Sequence, residues 1–127
     1  MSKSVLSVLI IDPHDVITKA MSSMLAEIGW TKIETVSHAV DALEQLRKNA
    51  YALVLTDWVM EPMDGQEFLR LLRADISLAS IPVMIVTADP NPAQFIAAKQ
   101  AGADAYALAP FTTEILASKL DLIRWAA

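Results

Sequence analysis

Apolar residues follow two alternating rhythms along the chain. Val5, Leu6, Val8, Leu9, Ile10 and Ile11 form a β-branched, near-continuous run, and Leu53, Val54 and Leu55 form another. Residues 81–86 and Tyr106, Ala107 and Leu108 repeat the pattern, and Ile33, Thr35 and Val36 give a shorter version. Such runs suit strands buried on both faces of a parallel sheet. Between them the spacing changes to three and four. Ile17, Met21, Met24, Leu25 and Ile28 make one helical face; Val40, Leu43 and Leu46 make a second; Phe68, Leu69 and Leu72 a third. Ile115, Leu116, Leu120 and Ile123 carry a last helix to Trp125.

Local signals punctuate these segments. Asp12-Pro13 ends the first strand, Asp15 reads as the first helix's cap, and Gly29 stands just past its end. Ser37 is the candidate cap of the second helix, and Asp64-Gly65 opens the third. Pro92 suits a fourth helix's first turn and Gly102 its stop, while Thr112 or Thr113 caps the fifth. Strand followed by helix, five times over, predicts an α/β domain with a five-stranded parallel sheet covered by helices on both faces.

In an open parallel sheet, ligands bind beyond the C-terminal ends of the strands. Asp12, Asp57, Thr87 and Ala109-Pro110 stand there. Two carboxylates from neighbouring strands converge at that edge, and hard oxygen donors of this kind suit Mg²⁺. Taken singly, each is an ordinary residue: Asp12 a loop residue, Asp57 a turn former, Thr87 a cap. Their joint placement favours a site. Asp64-Gly65 reads as a turn and helix start. His14 reads as a loop residue, because no second His or Cys lies at metal-binding spacing, and His38 as a surface residue.

Composition narrows the partners. The 127 residues fit one domain, and 54% hydrophobic with 20% charged residues excludes a disordered chain. Ten Lys and Arg against fifteen Asp and Glu give a net charge of −5, which argues against nucleic acid as a partner. Without cysteine there is no disulfide, thiolate metal site or Cys nucleophile. The run at residues 8–11 is far short of the roughly 20 apolar residues that span a bilayer. Lys3 followed by so short a run, with Asp12 behind it, is not a signal peptide. The expectation is a cytoplasmic protein without membrane contact. Residues 1–127 read as one domain, with the fifth helix leaving no room for an output domain.

Four segments carry a resemblance: VLIID ending at Asp12, TDWVMEPMDG over residues 56–65, IPVMIVTAD over 81–89 and AGADAYALAPF over 101–111. Over essentially its whole length the chain resembles the receiver domain of two-component response regulators, above all the single-domain chemotaxis-type regulators. The resemblance implies a (βα)5 doubly wound, flavodoxin-like fold and a signalling protein, not an enzyme. Asp57 matches the phosphoacceptor, whose carboxylate attacks the phosphorus of a histidine kinase or phosphotransfer protein. Asp12 matches an acid of the Mg²⁺ site, which Asp57 and the Val59 backbone carbonyl complete. Thr87 matches the switch hydroxyl and Tyr106 the aromatic residue that turns inward with it, beside the small Ala88. Pro110 matches a proline that follows a cis peptide. The signal would leave through protein contacts on the face of helix four, strand five and helix five, including Phe95, Ile96, Lys99 and Tyr106. Helix periodicity puts one of Phe95 and Ile96 in the core instead.

Two positions depart from that pattern. Pro13 stands where the family has a second acid, and Ala109 where it has a lysine. Losing one acid and one cation together leaves the formal charge of the pocket unchanged, so the two changes compensate electrostatically. Phosphoryl transfer rests on positioning and charge stabilisation, so weaker Mg²⁺ binding and slower phosphorylation are expected. Restoring both, as Pro13→Asp with Ala109→Lys, should improve Mg²⁺ binding. Asp15 and Glu61 are the nearby acids that are candidates to substitute as ligands, although Asp15 reads first as a cap; Asp89 stands where it affects water access. Pro13 and Ala109 favour an alternative, a degenerate pseudo-receiver that acts as a phosphorylation-independent interaction module. Retention of Asp57, Thr87 and Tyr106 favours the phosphorylated switch. Enzymes of similar fold fit poorly: Asp12-Pro13-His14 is not the D-x-D of haloacid-dehalogenase-type phosphatases, and neither a flavin phosphate loop nor a Gly-rich P-loop occurs.

Overall fold

The computed structural model describes residues 6–123. Five strands alternate with five helices: β1 (Ser7–Ile11), α1 (Asp15–Ile28), β2 (Lys32–Val36), α2 (Ala39–Lys48), β3 (Leu53–Thr56), α3 (Gly65–Ala74), β4 (Val83–Thr87), α4 (Pro92–Ala101), β5 (Ala105–Leu108) and α5 (Thr113–Asp121). All strand pairs are parallel, in the order β2-β1-β3-β4-β5. The predicted doubly wound α/β architecture is the one observed.

The continuous apolar runs are explained by burial on both faces. Val8, Ile10, Leu53, Leu55, Met84 and Val86 face α1 and α5, meeting Met21, Leu25, Leu116 and Leu120. The intervening Leu9, Ile11, Val54, Val83 and Ile85 face α2, α3 and α4, meeting Leu43, Leu46, Phe68, Leu69 and Leu72. Each strand therefore serves two cores with its two-residue period. No helix among the described residues is long and apolar enough to cross a membrane.

Two helix starts differ from the sequence reading by one residue. His14, not Asp15, occupies the N-cap of α1, and Asp15 is the first helical residue. His38, not Ser37, occupies that of α2; neither histidine makes a side-chain capping bond. Asp64 and Thr112 cap as expected, accepting hydrogen bonds from the amides of Glu67 and Ile115. Gly29 and Gly102 end α1 and α4 at positive φ. Trp125, the expected last residue of α5, and Val5 of the first run lie outside the described residues.

Helix α4 overturns one expectation. Neither Phe95 (46% exposed) nor Ile96 (52%) enters the core. Its buried residues are Gln94 and Ala98. The apolar side chains lie on the outer face because the inner position holds a polar side chain with polar partners, described below.

Candidate functional site

The strand order reverses between β1 and β3, and this is where a doubly wound sheet opens a crevice. Asp12 and Asp57 follow these two strands directly. The Asp12 amide donates to the Val36 carbonyl at 3.1 Å and the Asp57 amide to the Ile11 carbonyl at 3.1 Å, so the ladder carries both residues to the edge. A cleft of about 530 Å³ opens there, lined by Asp12, His14, Asp15, Asp57, Thr87 and Ala109 among others.

Asp57 is held by its backbone surroundings. Its Oδ1 accepts from the Trp58 amide at 2.7 Å and the Val59 amide at 3.4 Å. Oδ2 has no hydrogen-bond donor among the described residues. The carbonyl of Asp57 accepts from the Thr56 hydroxyl at 2.9 Å. Gly65 brings the start of α3 against this segment: its amide donates to the Trp58 carbonyl at 2.8 Å, and a Cβ there would lie 2.8 Å from the Trp58 Cα and 2.9 Å from the Asp57 oxygen. Burial pushes the Asp57 carboxyl above the ordinary range; the Trp58 amide pulls it back, and the charge of Asp12 raises it further.

Asp12 is almost wholly buried, with 3% of its side chain exposed. Its Oδ1 accepts from the His14 amide at 2.8 Å and lies 2.8 Å from His14 Nδ1. Oδ2 again lacks a donor among the described residues. The turn through Pro13 brings His14 back to the carboxylate, the Asp12 side chain accepting from the amide two residues on. Asp12, His14 and Asp57 each offer one ligand atom within a mutual 4.8 Å. The chemistry of this donor set fits a divalent cation. His14 is the residue that sequence reasoning set aside, because its place in the cluster arises from the turn and not from a spacing motif. Asp15 lines the cleft without joining the cluster, and Glu61 is exposed away from it. Val59 is exposed beside Asp57.

On the other side, the Thr87 hydroxyl lies 3.4 Å from Gln94 Oε1 and accepts from the Asp89 amide at 3.2 Å. The Tyr106 hydroxyl reaches the same Gln94 oxygen at 3.4 Å. Gln94 thus joins the two residues expected to act together, and an apolar-periodicity reading has no signal for it. The Tyr106 ring meets Phe95 edge-on, centroids 5.2 Å apart. Burial, then the charges of Asp89 and Asp57, raises the Tyr106 phenol above its usual range. Ala109 lines the cleft at the position where the resemblance puts the family's lysine, and Ala109–Pro110 is cis, as is Glu61–Pro62. Among the described residues lining the cleft there is no Lys or Arg.

Comparison with known proteins gives one consistent answer. The profile of the family described as "Response regulator receiver domain" matches residues 8–121. The chemotaxis protein CheY-3 of Vibrio cholerae is 34% identical over 118 residues, covering 93% of this chain and 91% of that protein. The chemotaxis protein CheY of Pseudomonas aeruginosa is 33% identical, covering 93% of this chain and 95% of its own length. Among solved structures, the chemotaxis response regulator CheY4 of Vibrio cholerae superposes with a TM-score of 0.83 at 26% identity, covering 91% of this chain and 96% of the other.

Proposed function

This chain belongs to the response regulator receiver domain family and so to two-component signalling, and from that premise we propose that it is a single-domain switch phosphorylated on Asp57. The observation that carries the reading is the division of labour within one carboxylate. Two backbone amides hold Oδ1, while Oδ2 is left without a donor in a residue that lines the cleft. An oriented oxygen with an unoccupied lone pair is what in-line attack on phosphorus needs. Oδ2 forms the new bond to phosphorus as the donor's phosphorus–nitrogen bond breaks, and the imidazole leaves.

Family members typically bind Mg²⁺ through acidic residues, and Asp12, Asp57 and the Val59 carbonyl are the groups we assign to it here. A divalent cation, when bound, neutralises charge on the phosphoryl oxygens. The protein's own contribution is orientation. The ladder fixes Asp12 and Asp57 side by side, and Gly65 fixes the loop behind Asp57. Thr87 stands at the same edge with its hydroxyl turned to Gln94, ready to exchange that long bond for one to a phosphoryl oxygen. The exchange would free Gln94 and so release Tyr106.

The expected donor is a histidine kinase or phosphotransfer protein. The output surface we assign is the α4–β5–α5 face, where Phe95, Ile96, Leu108 and Ile115 are exposed. A cytoplasmic location follows from such partners. Intact-mass measurement after incubation with Mg²⁺ and a small phosphodonor tests the reading. A single phosphoryl adduct, lost in Asp57→Ala, is expected. No adduct from either the small donor or a phosphohistidine donor overturns it in favour of a phosphorylation-independent interaction module, the reading that Ala109 favours.

A further inference from the structure

We propose that His14 is an inner-sphere ligand in the carboxylate cleft, replacing the acid lost at position 13 and turning the site toward first-row divalent transition ions that accept nitrogen. The inference rests on the reading of this cleft as the metal-holding one and goes beyond it in ligand and in metal class.

Three observations combine. First, His14 is fixed from both sides. Its carbonyl accepts from the amides of Ile17 and Thr18 at 3.1 Å each, as the N-cap of α1, and its amide donates to Asp12 Oδ1 at 2.8 Å. The side chain is nonetheless 66% exposed, so access is open. Second, Nδ1 lies 2.8 Å from Asp12 Oδ1. Neighbouring ligands of a six-coordinate ion with bonds of about 2.1 Å are about 3.0 Å apart. Nitrogen and oxygen therefore already have nearly the spacing of cis ligands. Third, Asp12 presents Oδ2 without a donor from a side chain that is almost wholly buried. An unpaired carboxylate oxygen on an almost wholly buried side chain calls for a cation, and no Lys or Arg lines the cleft among the described residues.

The donor set then decides the metal. Mg²⁺ is a hard ion that gains little from imidazole, whereas Mn²⁺, Fe²⁺, Co²⁺, Ni²⁺ and Zn²⁺ accept it readily. Two carboxylates and one imidazole around an open cleft therefore shift preference along that series.

Mn²⁺ is the probe that separates an inner-sphere nitrogen from a bystander. Electron spin-echo envelope modulation of the Mn²⁺-loaded full chain should show ¹⁴N coupling. The coupling should persist in His38→Gln, which removes the chain's other histidine, and vanish in His14→Gln and Asp12→Asn. By calorimetry, His14→Gln should weaken Ni²⁺ binding about tenfold or more and Mg²⁺ binding less than about threefold. Bound Mn²⁺ without nitrogen coupling, coupling that survives His14→Gln, equal losses for Ni²⁺ and Mg²⁺, or no Mn²⁺ binding at all would each overturn the proposal. Failure here is distinct from failure of the phosphoacceptor reading. An Asp57-dependent adduct with Mg²⁺ leaves that reading intact if His14 proves irrelevant, and nitrogen coupling without any adduct does the reverse.

Discussion

The two ends of the sheet treat charge in opposite ways. At the end where β4 and β5 begin, Arg73 from α3 donates to the carbonyls of Ala79, Ile81 and Gly102 and to Asp104 Oδ2 at 2.9 Å. Asp104 Oδ2 accepts from the Val83 amide as well. Cation, anion and backbone satisfy one another. At the other end, two carboxylates face one cleft, each has an oxygen without a donor among the described residues, and no Lys or Arg lines the space. One end is finished by folding; the other, on the proposed function, is left for a cation and a phosphoryl group to finish. The contrast teaches where stability and function have been separated within one sheet.

Removing the cation from the finished end should have the largest effect. Arg73→Ala leaves three carbonyls and Asp104 without their charged donor, and it removes the alkyl stem that packs against Gly102. A loss of about 3 kcal/mol is expected in urea unfolding. Phosphoryl acceptance should be retained in the fraction that remains folded. A loss within experimental error of zero would break the comparison, because the ionic end would then not be a structural anchor.

A smaller effect should follow from the backbone that holds the open end. In Gly65→Ala the new Cβ meets main-chain atoms of Asp57 and Trp58, which cannot rotate away. Overpacking of this kind costs about 1–2 kcal/mol. It should also displace the Asp57 segment and slow adduct formation from a small phosphodonor at saturating Mg²⁺. A variant that loses stability but accepts phosphate at the native rate would separate the α3 contact from the site.

How much of this was legible in the sequence depends on the range of the interaction. The strands were, because double-sided burial writes continuous runs such as Val8, Leu9, Ile10 and Ile11. So was the placement of Asp12, Asp57 and Thr87 at one edge, because strand ends line the crevice of an open parallel sheet. The second acid and the lysine were legible as absences only through the resemblance. Arg73 and Asp104 are 31 positions apart, and no local pattern joins them. Gln94 is buried by polar bonds to Thr87 and Tyr106, which a hydrophobic period does not register, and so one of Phe95 and Ile96, both placed on the outer face by the resemblance, was misassigned to the core by periodicity. His14 was set aside for want of a spacing partner, although its partner is the carboxylate two residues back, reached through the turn at Pro13.

The smallest expected effect sharpens the comparison most, because it predicts a gain. Asp57→Asn keeps an oxygen to accept from the Trp58 and Val59 amides and removes the charge that burial and Asp12 disfavour. Asp57's carboxyl is raised in the folded protein, so over that interval the folded state holds more protons than the unfolded one. Stability then falls as pH rises from the ordinary carboxylate range through the raised value, and the cost of ionisation is fully present above it. Asn does not titrate, so this segment of the pH profile should flatten. At neutral pH the variant should be more stable by about 0.5–1 kcal/mol, solvent screening at the half-open cleft keeping the gain modest. Urea unfolding from pH 4 to pH 7, wild type against variant, gives the difference at each pH. A gap that opens as pH rises means that the open end keeps an ionised carboxylate at the expense of the fold. A variant less stable at every pH would mean that the Asp57 charge anchors the loop, and the two ends of the sheet would then not differ in kind.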